Sequence, residues 1–380
     1  MMQKIDGGIL TPKGFKAGAA AAGIKSNGKL DVGLLWSDAP AVSSAIFTQN
    51  SLAAAPVQLS KQNNSNHKVQ AVVVNSGNAN CLTGEEGRHH ALQMARAAAG
   101  LLNIGENEVI VASTGIIGRP LPISKVEYGI KQAFEASSKP AEDDFAQSIM
   151  TTDTYVKAVA YQCKIGEQMV TIAGCSKGSG MIQPNMATLL GFLTSDVSIS
   201  EDQLDKALIE AARTTFNSIT IDGETSTNDT LAILTNGQAK NPQITEESDN
   251  YHTFLETLRQ VCLDLALMIV RDGEGANILL KVDVNNAQDY DQAKTIALAV
   301  ANSPLVKTAA HGKSGNWGRI AQAVGKLGLP ITEDTLDIKV EQAADDELSL
   351  IINLQLGKAN ATVYTCDLSK DYVDINVEYN

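Results

Sequence analysis

The sequence predicts a mixed α/β protein in which helices lie on sheets, and three observations carry that expectation. Apolar runs of strand length interleave with longer segments of helical periodicity along the whole chain. Hydrophobic residues make up 44% of the 380 residues and charged residues 19%, the balance of a folded globular chain. Aromatics are only 4% while alanine and glycine are plentiful, so the core is built from Ala, Val, Leu and Ile packed in close layers. A chain of this length makes one large domain or two moderate ones.

Taken in order, Val32–Leu35, Val42–Thr48 and Val69–Val74 read as strands of a buried sheet, separated by Gly, Ser, Asn and Pro. Residues His89 to Leu102 form an Ala-rich helix. Val109–Ala112 is a short strand that runs into Ser113-Thr114-Gly115-Ile116-Ile117-Gly118, where the glycines predict a tight turn with unpaired backbone N–H groups. Met169–Ala173 is a strand followed by a Gly-rich loop, Gly174 to Ala187, after which Thr188-Leu189-Leu190 opens another buried strand. Ser200 with Gln203 makes a capping-box pattern before a helix whose face is Leu204, Ala207, Leu208 and Ala211. Ser218–Ile221 and Leu231–Leu234 read as strands flanking the polar loop Asp222–Asp229. An amphipathic helix from Phe254 to Val270, strand Ile278–Val284, helix Gln292–Ala301 and strand Leu348–Leu356 follow.

The formal net charge of −13, with no Lys/Arg run longer than a dipeptide, lacks the footprint of a nucleic-acid binder and makes an anionic membrane a poor partner. No apolar h-region follows Met1, and no stretch approaches 18 apolar residues, so a cytoplasmic location is expected. The five cysteines show no Cys-x-x-Cys pair and the five histidines no His-Glu-x-x-His spacing. Reduced, buried cysteines and no metal site are expected.

Thr188 is where the sequence offers chemistry. A threonine hydroxyl is a weak nucleophile that needs a base, and a threonine that becomes an N-terminus carries one in its own α-amine, with a pKa of about 7.7–8.0. Backbone scission must come first, by Thr188 Oγ attacking the Ala187 carbonyl and the resulting ester being hydrolysed. Small Ala187 and the glycine-rich approach suit that step. On local pattern alone, Thr188 reads rather as a residue opening a β-strand.

The segment Lys177-Gly178-Ser179-Gly180-Met181-Ile182-Gln183-Pro184-Asn185-Met186-Ala187-Thr188-Leu189-Leu190 resembles the self-processing signature of the ornithine acetyltransferase (glutamate N-acetyltransferase) family. Similar blocks occur in order along the chain: Pro12–Ala17, Asn75–Asn80, Ser113–Gly118, Thr151–Thr154, Asp222–Asp229, Asn316–Ile320 and Asp374–Asn376. The resemblance implies a layered sheet-and-helix sandwich, cleaved between Ala187 and Thr188 into an N-terminal fragment 1–187 and a C-terminal fragment 188–380 folded as one unit. It further implies an assembly of two copies of each fragment.

By the same resemblance the Thr114 hydroxyl and the Gly115 N–H form the oxyanion hole for an acyl transfer begun by Thr188. The implied donor is N2-acetylornithine and the implied acceptor glutamate, with Thr154, Lys177, Thr188, Glu274 and Asn376 at substrate-binding positions. Lys177 would hold a carboxylate and Glu274 an ammonium. No metal or organic cofactor is implied, and acetyl-CoA is left open as a co-substrate. Two departures stand out: family members carry a Ser or Thr just past the position of Asn380, and commonly an Asp near Ser314. Three other readings remain, one of them a non-catalytic binding module. An N-terminal-threonine amidohydrolase or aminopeptidase would use water as acceptor, and a phosphate-binding loop would use Gly178-Ser179-Gly180 or Gly312-Lys313-Ser314, neither of which completes a fingerprint.

Overall fold

The computed structural model describes residues 2–139, 141, 143–183 and 189–378. Among them the chain forms three sheets and divides into two compact units. The first takes Met1–Gly178, Asn185–Arg213 and Thr225–Leu265; the second takes Ser179–Pro184, Thr214–Glu224 and Ala266–Asn380. Each unit therefore uses sequence from both sides of the Ala187–Thr188 link.

The strands of the first unit are β1 (Gln3–Ile5), β2 (Phe15–Ala20), β3 (Val32–Ser37), β4 (Val42–Phe47), β5 (Ala71–Asn78), β6 (Val109–Ile116), β7 (Lys157–Ile165), β8 (Gln168–Lys177), β9 (Leu190–Ser195) and β10 (Thr230–Thr235). Its helices are α1 (Ala55–Asn63), α2 (Gly84–Leu102), α3 (Ile123–Ala136), α4 (Asp144–Ile149), α5 (Glu201–Arg213) and most of α6 (Asp249–Arg271). One sheet has the order β1-β7-β8-β9-β10-β4 and the other β2-β3-β5-β6.

Alternation along the strands decides what each face meets. Phe15, Leu35, Val72, Val74 and Ile110 of the four-stranded sheet share a core with Cys175, Phe192, Ala232 and Leu234 of the six-stranded sheet. The in-between residues Leu34, Trp36, Val73 and Val111 pack on Met94, Ala95 and Ala98 of α2 and on Val126, Ile130 and Ala133 of α3. Small alanines on the buried stripe of α2 let that helix approach the sheet closely. Each buried Val, Leu or Ile contributes roughly 1.5–3 kcal/mol. On the far side of the six-stranded sheet, α5 lies against β4. There too, a Cβ on Gly174 of β8 would come within 3.1 Å of Leu265 Cδ1 on α6. The unit is thus a helix–sheet–sheet–helix sandwich, the layered α/β architecture that the sequence predicts.

The second unit holds β11 (Leu279–Ala287), β12 (Asp337–Ala344), β13 (Glu347–Asn353) and β14 (Ala359–Cys366), in the order β12-β13-β11-β14. Helices α7 (Tyr290–Ala301), α8 (Pro304–His311), α9 (Trp317–Gly325) and α10 (Lys370–Glu378) belong to it. Leu280, Val282, Val284, Ile296, Val300, Ile352 and Val363 form its core. Asp289 caps α7 by accepting from Gln292 N–H, and Ser303 caps α8, which starts on Pro304.

Several local expectations need correction. Strand β6 does not stop at Ala112 but continues through Ile116, because a bulge against β5 absorbs the glycine geometry. Strand β8 likewise runs through Gly174 to Lys177, four residues into the stretch expected to be loop, since it stays paired with β7 and β9. Ser218–Ile221 is no strand: Phe216–Ser218 is a 3₁₀ turn, followed by an isolated bridge from Ile219 to Tyr364. The Ser200–Gln203 box does not form either. Ser200 N–H donates to the Ile244 carbonyl, and the buried Gln203 Oε1 has no hydrogen-bond partner among the described residues. All five cysteines are free and buried, as expected. No helix among the described residues is long and apolar enough to cross a membrane.

Candidate active site

The paired strand ends of β5 and β6 build the first part of the site. They run parallel, with Asn75 opposite Ser113, Ser76 opposite Thr114 and Gly77 opposite Gly115, and the register slips at Asn78. Both glycines adopt positive φ, +95° at Gly77 and +128° at Gly115, which side-chain-bearing residues avoid. A Cβ on Gly115 would lie 2.7 Å from Gly77 Cα and 2.6 Å from Asn78 N, so the two backbones meet where only glycine fits.

Asparagines brace this bulge. Ser113 Oγ donates to Asn75 Oδ1 at 2.6 Å, and Asn75 Nδ2 donates to the Asn78 carbonyl at 2.9 Å. From the loop before β10, Asn228 Nδ2 donates to the Ala79 carbonyl at 2.6 Å and the Ser113 carbonyl at 2.9 Å. The blocks Asn75–Asn80 and Asp222–Asp229 thereby acquire a shared structural reason: part of each fixes the backbone around Thr114.

Lys177, the last residue of β8, places its Nζ 3.4 Å from Thr114 Oγ1 and donates to it. A hydroxyl that accepts from an ammonium keeps its own O–H to donate elsewhere. That is the arrangement an oxyanion donor needs. Thr114 and Gly115 are half-buried, open enough for a ligand to approach.

Behind Lys177 stands Asp153, which the sequence did not single out. One carboxylate oxygen accepts from Lys157 Nζ at 2.7 Å and Gly178 N–H at 2.8 Å; the other accepts from Thr151 N–H at 2.9 Å. The side chains of Asp153 and Lys157 are completely buried. Burial works against the Asp153 charge, but Lys177, then Lys157 with its hydrogen bond, then the Gly178 N–H outweigh it and bring its pKa down to about 2. Asp153 therefore stays ionised at any working pH. The neighbouring Thr154 is exposed and lines a cavity of about 420 Å³.

In the second unit, Glu274 is half-buried, and its Oε2 accepts from Asn376 Nδ2 of α10 at 2.8 Å. Its backbone N–H donates to the Ser179 carbonyl at 2.7 Å. A Cβ on Gly180 would lie 2.7 Å from Glu274 Oε1, so this glycine makes room for the carboxylate. Asp222 holds the following residues, accepting from Met181 N–H at 2.6 Å and Ile182 N–H at 2.8 Å. The Tyr372 hydroxyl approaches the same carboxylate at 3.4 Å. Burial first, then the charges of Asp222 and Glu274, push the Tyr372 pKa up to about 12.

The structure thus brings Thr114, Gly115 and Lys177 together in the first unit, and Glu274 with Asn376 in the second. Ala187 and Thr188 lie outside the described residues. Asp153, Lys157 and Asp222 were missed. Their only sequence signal was membership in, or closeness to, the blocks Thr151–Thr154 and Asp222–Asp229.

The molecule is an α/β enzyme of layered sheet-and-helix architecture. More particularly, the chain belongs to the ArgJ family, whose model matches residues 16–380. It is 44% identical to the arginine biosynthesis bifunctional protein ArgJ of Dehalococcoides mccartyi, over 98% of this chain and 97% of that one. With the protein of the same name from Caldanaerobacter subterraneus subsp. tengcongensis it shares 42% identity, over the full length of both. Among solved structures, ornithine acetyltransferase complexed with ornithine from Mycobacterium tuberculosis is 34% identical, with a TM-score of 0.45, covering 50% of this chain and 100% of that one.

Proposed function

We propose that this enzyme carries an acetyl group from N2-acetylornithine to glutamate in two half-reactions, through an ester on Thr188. The observation that carries this reading is the bulged end of β6, where the Thr114 hydroxyl accepts from Lys177 beside the glycine backbone of Gly115. Membership in a family of bifunctional arginine biosynthesis proteins supports it.

Before catalysis, Thr188 Oγ adds to the Ala187 carbonyl, the C–N bond breaks and releases the Thr188 amine as the ester forms, and water then hydrolyses the ester to free the Thr188 hydroxyl and the Ala187 carboxylate. In the first half-reaction Thr188 Oγ attacks the acetyl carbonyl of the donor while its amine takes the hydroxyl proton. The negative charge on the carbonyl oxygen is met by Thr114 Oγ–H and Gly115 N–H. The amide C–N bond then breaks, the proton passes to the leaving nitrogen, and ornithine departs. In the second half-reaction the glutamate α-amine attacks the acetyl-threonine ester, the same donors hold the oxyanion, and the Thr188 hydroxyl is restored.

In the first unit Lys177 and Thr154 serve a substrate carboxylate; in the second, Glu274 and Asn376 serve a substrate ammonium. The name bifunctional, carried by the relatives, fits acetyl-CoA as a second donor for glutamate. The working form is two fragments of each kind in one assembly, needing no resident cofactor. Incubation with acetylornithine, with and without glutamate, tests the reading: acetylglutamate appears only when glutamate is present. Free acetate as the sole product would instead identify a hydrolase.

A further inference from the structure

Lys25 lies on a loop that the steps above do not use. Asp31, fully buried, pins that loop by accepting from the backbone N–H groups of Ala22 at 2.6 Å, Ile24 at 2.6 Å and Lys25 at 3.1 Å. The Lys25 side chain then passes over Gly77, where an added Cβ would lie 3.2 Å from Lys25 Cγ. Gly77 is the register partner of Gly115. A single strand end therefore separates the stem of Lys25 from the glycine of the oxyanion site.

The head of Lys25 is placed to meet a ligand. Its Nζ donates to the Leu30 carbonyl at 2.7 Å, which uses one of its three N–H groups. It lines the cavity of about 420 Å³ together with Lys29, Thr151, Asp153, Thr154 and Tyr155. A space of that size suits a small molecule. Burial disfavours the charged ammonium, Asp31 and Asp153 restore part of it, Lys177 and Lys29 oppose it further, and the result is a pKa of about 8. Such a poorly solvated cation is one that an incoming carboxylate stabilises.

We propose that Lys25 recognises the side-chain carboxylate of the acceptor amino acid, in the cavity it shares with Thr154. This rests on the transferase reading above. There the donor side chain ends in an ammonium and the acceptor side chain in a carboxylate, so a cation at that position distinguishes one from the other. Lys177, against Thr114, serves the reacting end; Lys25, across Gly77, serves the far end of a dicarboxylic amino acid.

The test compares glutamate with glutamine as acceptors from acetylornithine, in the wild-type enzyme, Lys25→Met and Lys25→Arg. The ratio of the two kcat/KM values does not depend on how much enzyme is active, so partial misfolding leaves it readable. Losing one charge-assisted hydrogen bond should lower the glutamate preference roughly ten- to hundredfold in Lys25→Met. Lys25→Arg should keep most of it. A wild-type transferase whose preference is unchanged in Lys25→Met overturns this proposal alone. A wild-type enzyme that makes no acetylglutamate overturns the transferase reading and this proposal with it.

Discussion

Gly115 and Gly77 face each other across β6 and β5 so closely that a methyl group on Gly115 would overlap the Gly77 backbone. The obstruction is main chain, which cannot rotate away, and the φ of +128° adds its own strain. Gly115→Ala should therefore displace the Thr114–Gly115 donors. A fall in kcat of roughly a hundredfold or more is expected, the usual cost of a lost oxyanion donor. Steady-state kinetics with acetylornithine and glutamate check it.

Gly180 offers the contrasting case. The three atoms nearest a methyl group there all belong to the carboxylate of Glu274, the far end of a flexible side chain. Gly180→Ala should shift Glu274 from Asn376 and raise KM several-fold, while the midpoint of thermal unfolding stays close to wild type. Differential scanning calorimetry beside kinetics separates the two effects.

Thr114→Val removes the hydroxyl that accepts from Lys177 while keeping the β-branched shape. If that hydroxyl acts on the transition state, kcat and kcat/KM fall together by roughly 10²–10³. A rise in KM alone would reassign Thr114 to ground-state binding.

The buried Asp153–Lys157 pair makes stability depend on pH with a definite sign. The Asp153 pKa is lower in the folded chain, about 2, than its ordinary 3.8, so its stabilisation is complete above the higher value. It is lost as pH falls from there through about 2, a contribution on the order of 2 kcal/mol. Asp153→Asn removes the carboxylate that pairs with the buried Lys157 and should cost about 3–5 kcal/mol near neutrality. Urea unfolding of both proteins across pH should give a constant gap above about pH 4 that narrows below it.

Much of this was legible in the chain itself. The interleaved strands and helices and the alanine-rich α2 could be read from pattern, and the Thr114–Gly115 and Lys177 positions from the resemblance to a known family. The ends of β6 and β8 could not, because partner strands carried the pairing past glycines that on their own suggest turns. Asp153 and Lys157 are four residues apart, but outside any helix, so no periodicity marks them as a pair. Lys25 and Gly77 meet only through tertiary packing, and in sequence each is an ordinary loop or strand-end residue.

The acetyl-threonine mechanism stands most directly on the mass of the protein after brief exposure to acetylornithine alone, followed by denaturation and N-terminal sequencing. It predicts two fragments, the second beginning Thr-Leu-Leu-Gly and heavier by one acetyl group, and loss of that acetyl when glutamate is added. A fully active enzyme that remains one uncut chain, or that carries no acetyl group on the fragment beginning at Thr188, would contradict it.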